Sequence, residues 1–504
     1  MKKSGLKSRM DLLRKEHRLP YSMPEPDAYP VALVYPNMYK VGMASLGFLT
    51  TYRLLIDAGF KPERFFLDVH SKSKIPISME SGSSLSDFTI LAFHFSYEPD
   101  YVNAISMLND SGIPYDRHLR GTRGKQILIA GGMAPTANPL PLVNFFDFVF
   151  LGETEDDILS DIHRISDKLP ISSNDGWFSI VDYLDNKGNY TVRRRTSPEW
   201  ESFDSFSPII TSETTFGAMN LVEISRGCPI KCKFCLTGGM FKKVRERNFN
   251  SIISSAIVHK EHSKKVGLIG AIPSLHSDVV RILEKLIADG MSVSLSSLSV
   301  TSLNDRIIEL LSKGGMKTLT LGVENFDENL QMRYGKSIPF EKLENVIEKA
   351  LRTGFREIKI YLMLGLPGAT EDEENFLVNK ATVVSGICRK VHPGSLLRIS
   401  LNPFIPKALT EYEHEKFMGE KNFRDKMSFI RKKLSPLGIA ISSESHRNAR
   451  LQNILSRGDE RVGEIILAAS SGRNWKQISK NLIEDGDSFF QESLDTINKT
   501  FLRY

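Results

Sequence analysis

Three of the four cysteines in this 504-residue chain lie within eight consecutive positions. They are Cys228, Cys232 and Cys235, spaced C-x-x-x-C-x-x-C in the segment RGCPIKCKFC (226–235). Thiolate side chains bind metals or act as nucleophiles, and this spacing lets several of them reach one centre. The fourth cysteine, Cys388, stands in an apolar helical run and is expected to be a buried, inert thiol. The group of three therefore predicts a metal centre or a reactive site.

The number of cysteines in this group separates two kinds of metal site. A structural zinc site takes four protein ligands, and the nearest histidines, His262 and His276, belong to later strand–helix units. Three cysteines instead suit a [4Fe–4S] cluster in which one iron keeps an open coordination position. An open iron can bind and reduce a small molecule. Three unligated thiols are the alternative, and we disfavour it because Gly227 and Pro229 shape a turn at a strand end here.

Composition places the chain among globular proteins of two or three domains. The net charge of +6 is spread along the whole length, so no clear nucleic-acid motif stands out. The longest apolar stretch, VNFFDFVFLG (143–152), is too short and interrupted to cross a bilayer. The basic lead-in at residues 1–29 lacks the apolar core of a signal peptide. Four cysteines without a secretory signal indicate the reducing cytoplasm rather than a disulfide framework.

Residues 30–165 alternate between short apolar runs and helix-length amphipathic segments. The apolar runs are expected to be strands: YPVALVYP, ERFFLDV, DFTILAFHFS, KQILIAGG and FDFVFLG. This α/β alternation predicts a doubly wound, Rossmann-like parallel sheet, which binds ligands beyond the carboxyl ends of its strands. Small or turn-forming segments occupy those ends, including SYEPDY, GGMAPTANP and GETE. Gly131 and Gly132 either let a backbone approach a ligand closely or only form the strand-to-loop turn.

The rest of the chain divides into three further segments. Residues 166–215 are expected to be a linker with a β-hairpin around NKG (186–188), because polar and apolar residues alternate on both sides. Residues 216–410 contain six strand–helix units, which predict a partial (β/α)6 TIM-type barrel with its active face at the carboxyl ends of the strands. Residues 411–504 form a mostly helical C-terminal region. The cysteine segment follows the first barrel strand and so lies on the active face.

The segment RGCPIKCKFC followed by six strand–helix units resembles the radical S-adenosylmethionine (SAM) superfamily. The resemblance implies that Cys228, Cys232 and Cys235 hold a [4Fe–4S] cluster whose open iron binds the amino and carboxylate groups of SAM. One electron from the cluster then cleaves SAM to methionine and a 5′-deoxyadenosyl radical, which abstracts hydrogen. That electron comes from a donor such as ferredoxin or flavodoxin. The cofactors carry this chemistry, while the protein positions them and excludes water.

The same resemblance assigns SAM contacts to the other strand ends. Phe234 corresponds to the aromatic residue whose backbone lies near adenine. Gly270 and Ala271 follow the second strand, where the family contacts the amino group of SAM, although the usual acidic residue is missing. Glu324 ends the fourth strand and is expected to contact ribose, with a salt bridge at the barrel mouth as the alternative. The segment LMLGLPGATEDE (362–373) matches the fifth-strand motif, whose adenine-flanking residues are Gly365, Leu366 and Pro367.

A doubly wound domain directly before such a barrel resembles the cobalamin-binding subgroup of radical SAM enzymes. The resemblance implies a cobalamin site built from strand-end residues, namely Tyr97, Gly131, Gly132, Gly152 and Glu153. Domains that ligate cobalt from below commonly carry a histidine after the first strand, and here that region reads YPNMYKVG. His70 in DVHSKS follows the second strand, so a surface histidine is the preferred interpretation. Cobalamin is then expected to bind without a protein ligand below the cobalt.

The leading functional hypothesis is a radical SAM enzyme that uses cobalamin, with methyl transfer to an unactivated carbon as its reaction. Cobalamin-assisted rearrangement or cyclisation is a rival reaction, and a non-catalytic sensor of cluster or cobalamin is a rival class. Methylthiolation needs a second cluster on three further cysteines, and only Cys388 is left for it. The substrate is left open: peptide, lipid, tetrapyrrole, antibiotic precursor and RNA base all fit the sequence.

Overall fold

The computed structural model of the chain describes residues 8–20, 23–123, 125–155, 161–167, 171, 176–198, 200–241, 243–296, 298–483 and 486–502. The predicted lead-in 1–29 and linker 166–215 lie partly outside the described residues. The chain forms two compact units: residues up to Met219 together with Ile454–Tyr504 form the first, and Asn220–Asn453 form the second. Among the helices of the described segments, none has both the length and the apolarity needed to cross a membrane.

Strands and helices alternate through both units, as the hydrophobic periodicity predicts. The described strands are β1 (Glu16–Arg18), β2 (Tyr29–Tyr35), β3 (Phe60–Phe66), β4 (Ile90–His94), β5 (Ile127–Gly131), β6 (Phe148–Phe150), β7 (Trp177–Ser179), β8 (Val192–Arg193), β9 (Ile209–Thr211), β10 (Asn220–Glu223), β11 (Ser225–Arg226), β12 (Arg245–Glu246), β13 (Lys265–Ile269), β14 (Ser292–Leu295), β15 (Thr318–Glu324), β16 (Glu357–Leu364), β17 (Leu396–Pro403), β18 (Ala440–Ser442) and β19 (Phe501–Leu502). The described helices are α1 (Arg9–Leu13), α2 (Tyr39–Gly42), α3 (Leu46–Asp57), α4 (Asp100–Asp110), α5 (Arg117–Arg123), α6 (Met133–Ala137), α7 (Asp161–Ser166), α8 (Ile180–Asp185), α9 (Leu236–Met240), α10 (Phe249–Ile257), α11 (Val279–Ala288), α12 (Asp305–Lys313), α13 (Glu328–Arg333), α14 (Phe340–Thr353), α15 (Glu373–Val391), α16 (Glu420–Leu434), α17 (His446–Arg457), α18 (Gly463–Ser470), α19 (Trp475–Leu482) and α20 (Gly486–Thr500).

Six strands of the first unit form one sheet in the order β3-β2-β4-β5-β6-β7. Strands β2 to β6 pair in parallel, and β7 pairs antiparallel with β6 at the edge. Residues such as Val31, Leu33 and Leu91 are almost fully buried, as expected for a parallel sheet covered on both faces. The strand order reverses between β2 and β4. In open α/β sheets such a reversal leaves a crevice beyond the carboxyl ends, where ligands bind.

The C-terminal residues from Ile454 onward belong to the first unit, so the predicted region 411–504 is divided between the two units. Asn138 Nδ2 donates a hydrogen bond to the carbonyl oxygen of Gly458 at 2.7 Å. The buried Arg194 donates to the carbonyl oxygens of Thr136 at 2.7 Å and Phe501 at 3.0 Å. Sequence periodicity misses this division because it indicates a helix without showing which surface the helix packs against.

Residues 177–193 do not form the predicted β-hairpin. Instead, β7 joins the main sheet, residues 180–185 form α8, and β8 pairs in parallel with β19. The Ser179 side chain accepts a hydrogen bond from the backbone N–H of Asp182 and so caps α8. Ile180 and Tyr183, three positions apart, face the core. Apolar residues three positions apart and an N-terminal cap favour a helix, whereas the hairpin prediction assumed that polar and apolar residues alternate.

The second unit contains two parallel sheets whose strands follow chain order. One sheet is β10-β13-β14 and the other is β15-β16-β17-β18. An isolated parallel bridge between Leu298 and Leu321 links the end of the β14 segment to β15. The short strand β18 extends this series past residue 410, where the predicted barrel ends. Three residues are too few for periodicity to reveal a strand, which explains the omission.

Candidate active site

The cysteine segment begins where the first strand of the second unit ends. Strand β10 is followed by β11, which pairs antiparallel with β12 and opens a loop at Gly227. Gly227 has φ +88°, and a Cβ at this position would lie 2.5 Å from the carbonyl oxygen of Lys243. Glycine is therefore required here, since a side chain would clash with the neighbouring backbone in a conformation that L-residues rarely adopt.

The backbone of the cysteine loop is held by segments that follow the later strands. The N–H of Lys233 donates to the carbonyl oxygen of Tyr334 at 2.9 Å, and the N–H of Tyr412 donates to that of Lys233 at 3.2 Å. The Phe234 ring packs edge-on against the Tyr334 ring, with centroids 5.3 Å apart. A Cβ on Gly335 would lie 2.7 Å from the carbonyl oxygen of Lys231. Close packing on both sides thus fixes the loop that carries the three cysteines.

The three thiols of the loop are half-buried and belong to one group. The N–H of Cys235 donates to the carbonyl oxygen of Cys232 at 3.0 Å, and all three side chains keep intermediate exposure. Burial raises the pKa of Cys228, and it raises the pKa of Cys232 to about 12 against the opposing effect of Lys336. A metal cation would replace the protons and hold these sulfurs as thiolates.

The arrangement of the three thiols bears on the kind of metal centre that they could form. In the described part of the chain, no three histidine, cysteine, aspartate or glutamate side chains are grouped so as to hold one ion. The thiolates of an iron–sulfur cluster bind different irons, so they do not converge on one point. Three half-exposed cysteine sulfurs on one loop fit that type of centre. Cys388, by contrast, lies in α15 with 3% exposure, and burial raises its pKa to about 11.

Glu324, the predicted ribose contact, ends β15 in a strained conformation. Its φ is +68°, and the pairing register of β15 with β16 shifts between Gly322 and Glu324. Its carboxylate forms an ion pair with Lys336 Nζ at 3.2 Å, and the same ammonium donates to the carbonyl oxygen of Gly322 at 2.7 Å. Non-glycine residues in this region of φ cost about 1–3 kcal/mol and cluster at functional sites. The structure therefore contains an ion pair of Glu324, which was the alternative interpretation of this residue, and its contact with ribose stays a prediction.

The fifth-strand residues lie beside the cysteine loop. Leu366 is 2% exposed and shares an apolar cluster with Phe234 and Tyr334. Gly365 has φ +75°, and its N–H donates to the carboxylate of Glu373 at 3.2 Å. The structure thus brings Phe234 and Leu366 into one apolar group, and the next residue, Pro367, is half-buried.

Gly270 and Ala271 follow β13 and are both half-buried. A Cβ on Gly270 would lie 2.4 Å from Ser225 Oγ. Glycine at this position therefore permits close packing against the strand that leads into the cysteine loop. Contact with SAM at these two residues stays a prediction.

Two charged groups near the loop were not predicted from the sequence. Lys336 is one of them. The other is Glu223, whose carboxylate pairs with Arg226 at 2.9 Å and Arg247 at 3.0 Å. Its pKa is lowered because these guanidinium groups outweigh the effect of burial. Glu223 ends β10 and Arg226 ends β11, three residues later. This short spacing of opposite charges could have indicated an ion pair from the sequence.

In the first unit, several predicted cobalamin residues contact the protein itself. A Cβ on Gly132 would lie 2.4 Å from the carbonyl oxygen of Phe95, and one on Gly152 would lie 2.2 Å from that of Arg195. The Glu153 carboxylate accepts a hydrogen bond from the N–H of Ser197 at 2.8 Å. The loop after β6 is therefore paired with residues 195–197, and its glycine serves backbone packing.

The loops after β2, β4 and β5 present an edge that is accessible to solvent. Met38 and Met133 expose 39% and 38% of their surface there, and Tyr97 and Gly131 are half-buried. Apolar side chains exposed beyond strand ends suit a large, flat apolar ligand. His70 lies elsewhere, after the edge strand β3, with its ring next to the carbonyl oxygen of Ser71.

The same strand ends also carry polar groups that were not predicted from the sequence. The Asp100 carboxylate accepts hydrogen bonds from Asn37 at 2.8 Å and Asn103 at 3.1 Å, and burial raises its pKa to about 7. His94 at the end of β4 stacks on the Tyr35 ring, with centroids 5.8 Å apart, and burial lowers its pKa to about 4. A neutral imidazole and a titratable carboxylate therefore lie at the point where the strand order reverses.

Comparison with known protein families gives two matches. Residues 222–378, which include the end of β10, the cysteine loop and β11 to β16, match the radical SAM superfamily. Residues 50–173 match the N-terminal region of radical SAM proteins. An uncharacterised protein of Methanocaldococcus jannaschii is 29% identical over 446 residues, which cover 86% of this chain and 90% of that protein. An uncharacterised methyltransferase of Pyrococcus horikoshii is 24% identical over 158 residues, 30% of this chain and 34% of that protein.

Solved structures share the fold at low sequence identity. The radical SAM methyltransferase TsrM from Kitasatospora setae superposes with a TM-score of 0.53 at 13% identity, covering 77% of this chain and 76% of its own. The cobalamin-dependent SAM radical enzyme OxsB superposes with a TM-score of 0.50 at 13% identity, covering 89% of this chain and 62% of its own. At such identities the likeness concerns architecture, and the chemistry must be argued from the side chains.

Proposed function

The chain is a radical SAM enzyme, and from this premise we propose that it uses a corrinoid together with SAM to transfer a methyl group to an unactivated carbon. The observation that carries the proposal is the loop on which Cys228, Cys232 and Cys235 are fixed with half-exposed thiols. When bound, a [4Fe–4S] cluster supplies the electron that cleaves SAM, and a corrinoid supplies a methyl carrier. The protein provides the ligands, the orientation and the shielding from water.

The residues around the cysteine loop support a SAM site of mixed character. Phe234 and Leu366 offer an apolar surface suited to adenine. Glu324 and Lys336 offer opposite charges beside Cys232, suited to the ribose hydroxyls and the polar end of SAM. Gly270, Ala271, Gly365 and Pro367 contribute backbone surface at neighbouring strand ends. We further propose that the parallel strands from β10 to β18 curve into an open barrel around this site.

The first unit supports the corrinoid part of the proposal through its exposed edge. Met38 and Met133 give apolar contacts for the ring, while the half-buried Asn37 and Tyr97 offer polar groups for the amides at its rim. Gly131 belongs to this edge, whereas Gly152 and Glu153 are occupied by residues 195–197. The proposed corrinoid site therefore uses the loops after β2, β4 and β5 and does not extend to the loop after β6.

Anaerobic reconstitution with iron, sulfide, SAM and hydroxocobalamin tests the proposal. We expect about four irons per chain, reductive cleavage of SAM to 5′-deoxyadenosine, and corrinoid that stays with the protein on gel filtration. With a methyl acceptor present, S-adenosylhomocysteine accumulates as well. Formation of 5′-deoxyadenosine without S-adenosylhomocysteine would favour rearrangement or cyclisation. A cluster that forms without any SAM cleavage would leave the sensor hypothesis.

A further inference from the structure

The electron for SAM cleavage must enter this protein from outside, and the cysteine content limits the route. The chain has four cysteines, three of which lie on the loop, and Cys388 is buried in α15. Iron–sulfur clusters are ligated by cysteine thiolates, so a second cluster cannot be built as an internal relay. A donor has to deliver its electron directly at the cysteine loop. This step rests on the proposed function, because it assumes that the loop holds a cluster.

Contrary to the expectation that the net charge is spread along the whole length, the sequence around the loop carries a strong local excess of positive charge. Residues 226–247 contain seven lysines and arginines but one acidic residue, Glu246. Arg226 and Arg247 are engaged by Glu223. Lys231 and Lys243 are exposed, and they form no ion pair with any residue that the structure describes. The charge that remains at the surface is therefore positive.

Packing places a second exposed group next to Lys231. The turn at Gly335 packs on the carbonyl oxygen of Lys231. Met332 and Arg333, which precede this turn in the sequence, are both exposed. Met332 exposes 59% of its surface. Lys233, with 41% of its side chain exposed, pairs with Glu411 at the longer distance of 3.8 Å. We call Lys231, Lys233, Lys243, Met332 and Arg333 the cysteine-loop patch.

We propose that the cysteine-loop patch is the docking surface for an acidic one-electron carrier protein of the flavodoxin or ferredoxin type. Clustered cations steer an acidic partner and raise its rate of association at low salt. Exposed methionine and arginine side chains are enriched in interfaces, where they supply apolar and charged contacts. In the docked complex one electron leaves the reduced carrier and enters the cluster, with no bond formed or broken.

Stopped-flow reduction of the reconstituted enzyme by an acidic flavodoxin hydroquinone tests this surface. The charge-reversal variant Lys231→Glu/Lys243→Glu/Arg333→Glu should lower the second-order rate constant about tenfold or more at low ionic strength. The wild-type rate should fall steeply as ionic strength rises from about 0.05 to about 0.5 M, because screening removes the attraction. The same rise should change the rate of the variant little.

Two controls separate the docking surface from the chemistry. Lys390→Glu reverses an exposed charge at the far end of α15 and should keep the wild-type rate with flavodoxin. Photoreduced deazaflavin, a small reductant, should drive SAM cleavage equally in all variants. If deazaflavin fails with the wild type, the proposed function fails. If deazaflavin succeeds while wild-type reduction by flavodoxin is insensitive to salt, the proposed docking surface is wrong. It is also wrong if the reversal variant is reduced as fast as the wild type.

Two measurements remain if the triple variant does not fold. The salt dependence of the wild-type rate needs no variant, and Lys243→Gln is a milder change that should lower the rate by a proportionally smaller factor.

Discussion

The two units each present loops beyond the carboxyl ends of parallel strands, but they use small and reactive residues differently. In the second unit, close packing of Gly227 and Gly335 against neighbouring backbone fixes a loop and leaves three thiols half-exposed. In the first unit, Gly132 and Gly152 pack equally closely, yet what they accommodate is the protein's own chain at Phe95 and Arg195. In both units, a glycine after a strand therefore indicates that another backbone segment approaches closely. It does not indicate whether a ligand binds nearby.

The two units differ in whether backbone packing accounts for the type of residue found in each loop. A glycine with a neighbouring carbonyl oxygen 2.2 Å from its would-be Cβ already has a structural reason to be present. For the three half-exposed cysteines of the loop, no such close approach of backbone accounts for a thiol at each position. Reactive side chains that packing does not account for are thus stronger indicators of function than glycines with unusual backbone conformations. The following predictions test that contrast, beginning with the largest effect.

Replacement of Cys232 by alanine should abolish function without unfolding the second unit. We expect loss of most of the bound iron and of all SAM cleavage, because two thiolates cannot retain the cluster. Iron analysis and the visible spectrum after anaerobic reconstitution measure the effect. Cys388→Ala is the matched control and should keep both iron and cleavage. A full four-iron spectrum in Cys232→Ala would refute the ligand assignment.

Gly152→Ala should destabilise the first unit even when no cofactor is added. With φ at +121° and a carbonyl oxygen 2.2 Å from the new Cβ, we expect a loss of at least about 3 kcal/mol in the free energy of unfolding. Gly131→Ala is the matched control, because its Cβ would meet Phe150 at an ordinary 3.9 Å. That variant should stay within about 0.5 kcal/mol of the wild type.

Urea denaturation of the cofactor-free protein measures both glycine variants, and hydroxocobalamin titration measures their ligand affinity. A Gly152→Ala protein of normal stability that no longer binds corrinoid would contradict the structural interpretation. Such a result would return Gly152 to the corrinoid site predicted from the sequence.

Glu324→Ala should weaken SAM binding by about 1–3 kcal/mol, because the half-buried carboxylate can accept hydrogen bonds from ribose hydroxyls. Cluster content should not change, since Glu324 is not a ligand. Anaerobic equilibrium binding of SAM to the reconstituted enzyme gives the affinity. Unchanged affinity would leave Glu324 as only the ion-pair partner of Lys336.

Asp100→Asn should change how the stability of the first unit depends on pH. Burial raises the pKa of Asp100 to about 7, so the folded protein binds a proton that the unfolded chain releases near pH 4. Wild-type stability therefore falls as pH rises from about 4 to about 7, and the variant lacks this loss. We expect the variant to gain up to about 4 kcal/mol relative to the wild type across that window, since each pKa unit corresponds to about 1.4 kcal/mol.

Urea denaturation at a series of pH values measures the Asp100 effect, with Asp110→Asn at the exposed end of α4 as the control. A constant difference between Asp100→Asn and the wild type at all pH values would show that Asp100 does not titrate in this window.

Much of the architecture was predictable because continuous apolar runs specify buried parallel strands. The runs around Val31, Leu91 and Leu268 all form the expected strands, and the cysteine loop follows the first strand of the second unit. The hairpin at 177–193 was wrong because a short segment with apolar residues three apart can be read with either period. Strand β18 and the division of the C-terminal region were missed, since both depend on contacts between residues distant in sequence.

The sequence alone determined the cysteine spacing, the excess of positive charge around it and the absence of cysteines for a second cluster. These are covalent facts, and the chemistry of thiolates and charges makes them informative without coordinates. Only the tertiary structure decided that Glu324 is strained and paired with Lys336, and that residues 195–197 occupy the loop of Gly152 and Glu153. It also decided that Arg226 and Arg247 share an ion pair with Glu223, which Lys231 and Lys243 do not. The physical reason is that charge pairing and close backbone approach depend on distances across the fold, which local sequence patterns do not encode.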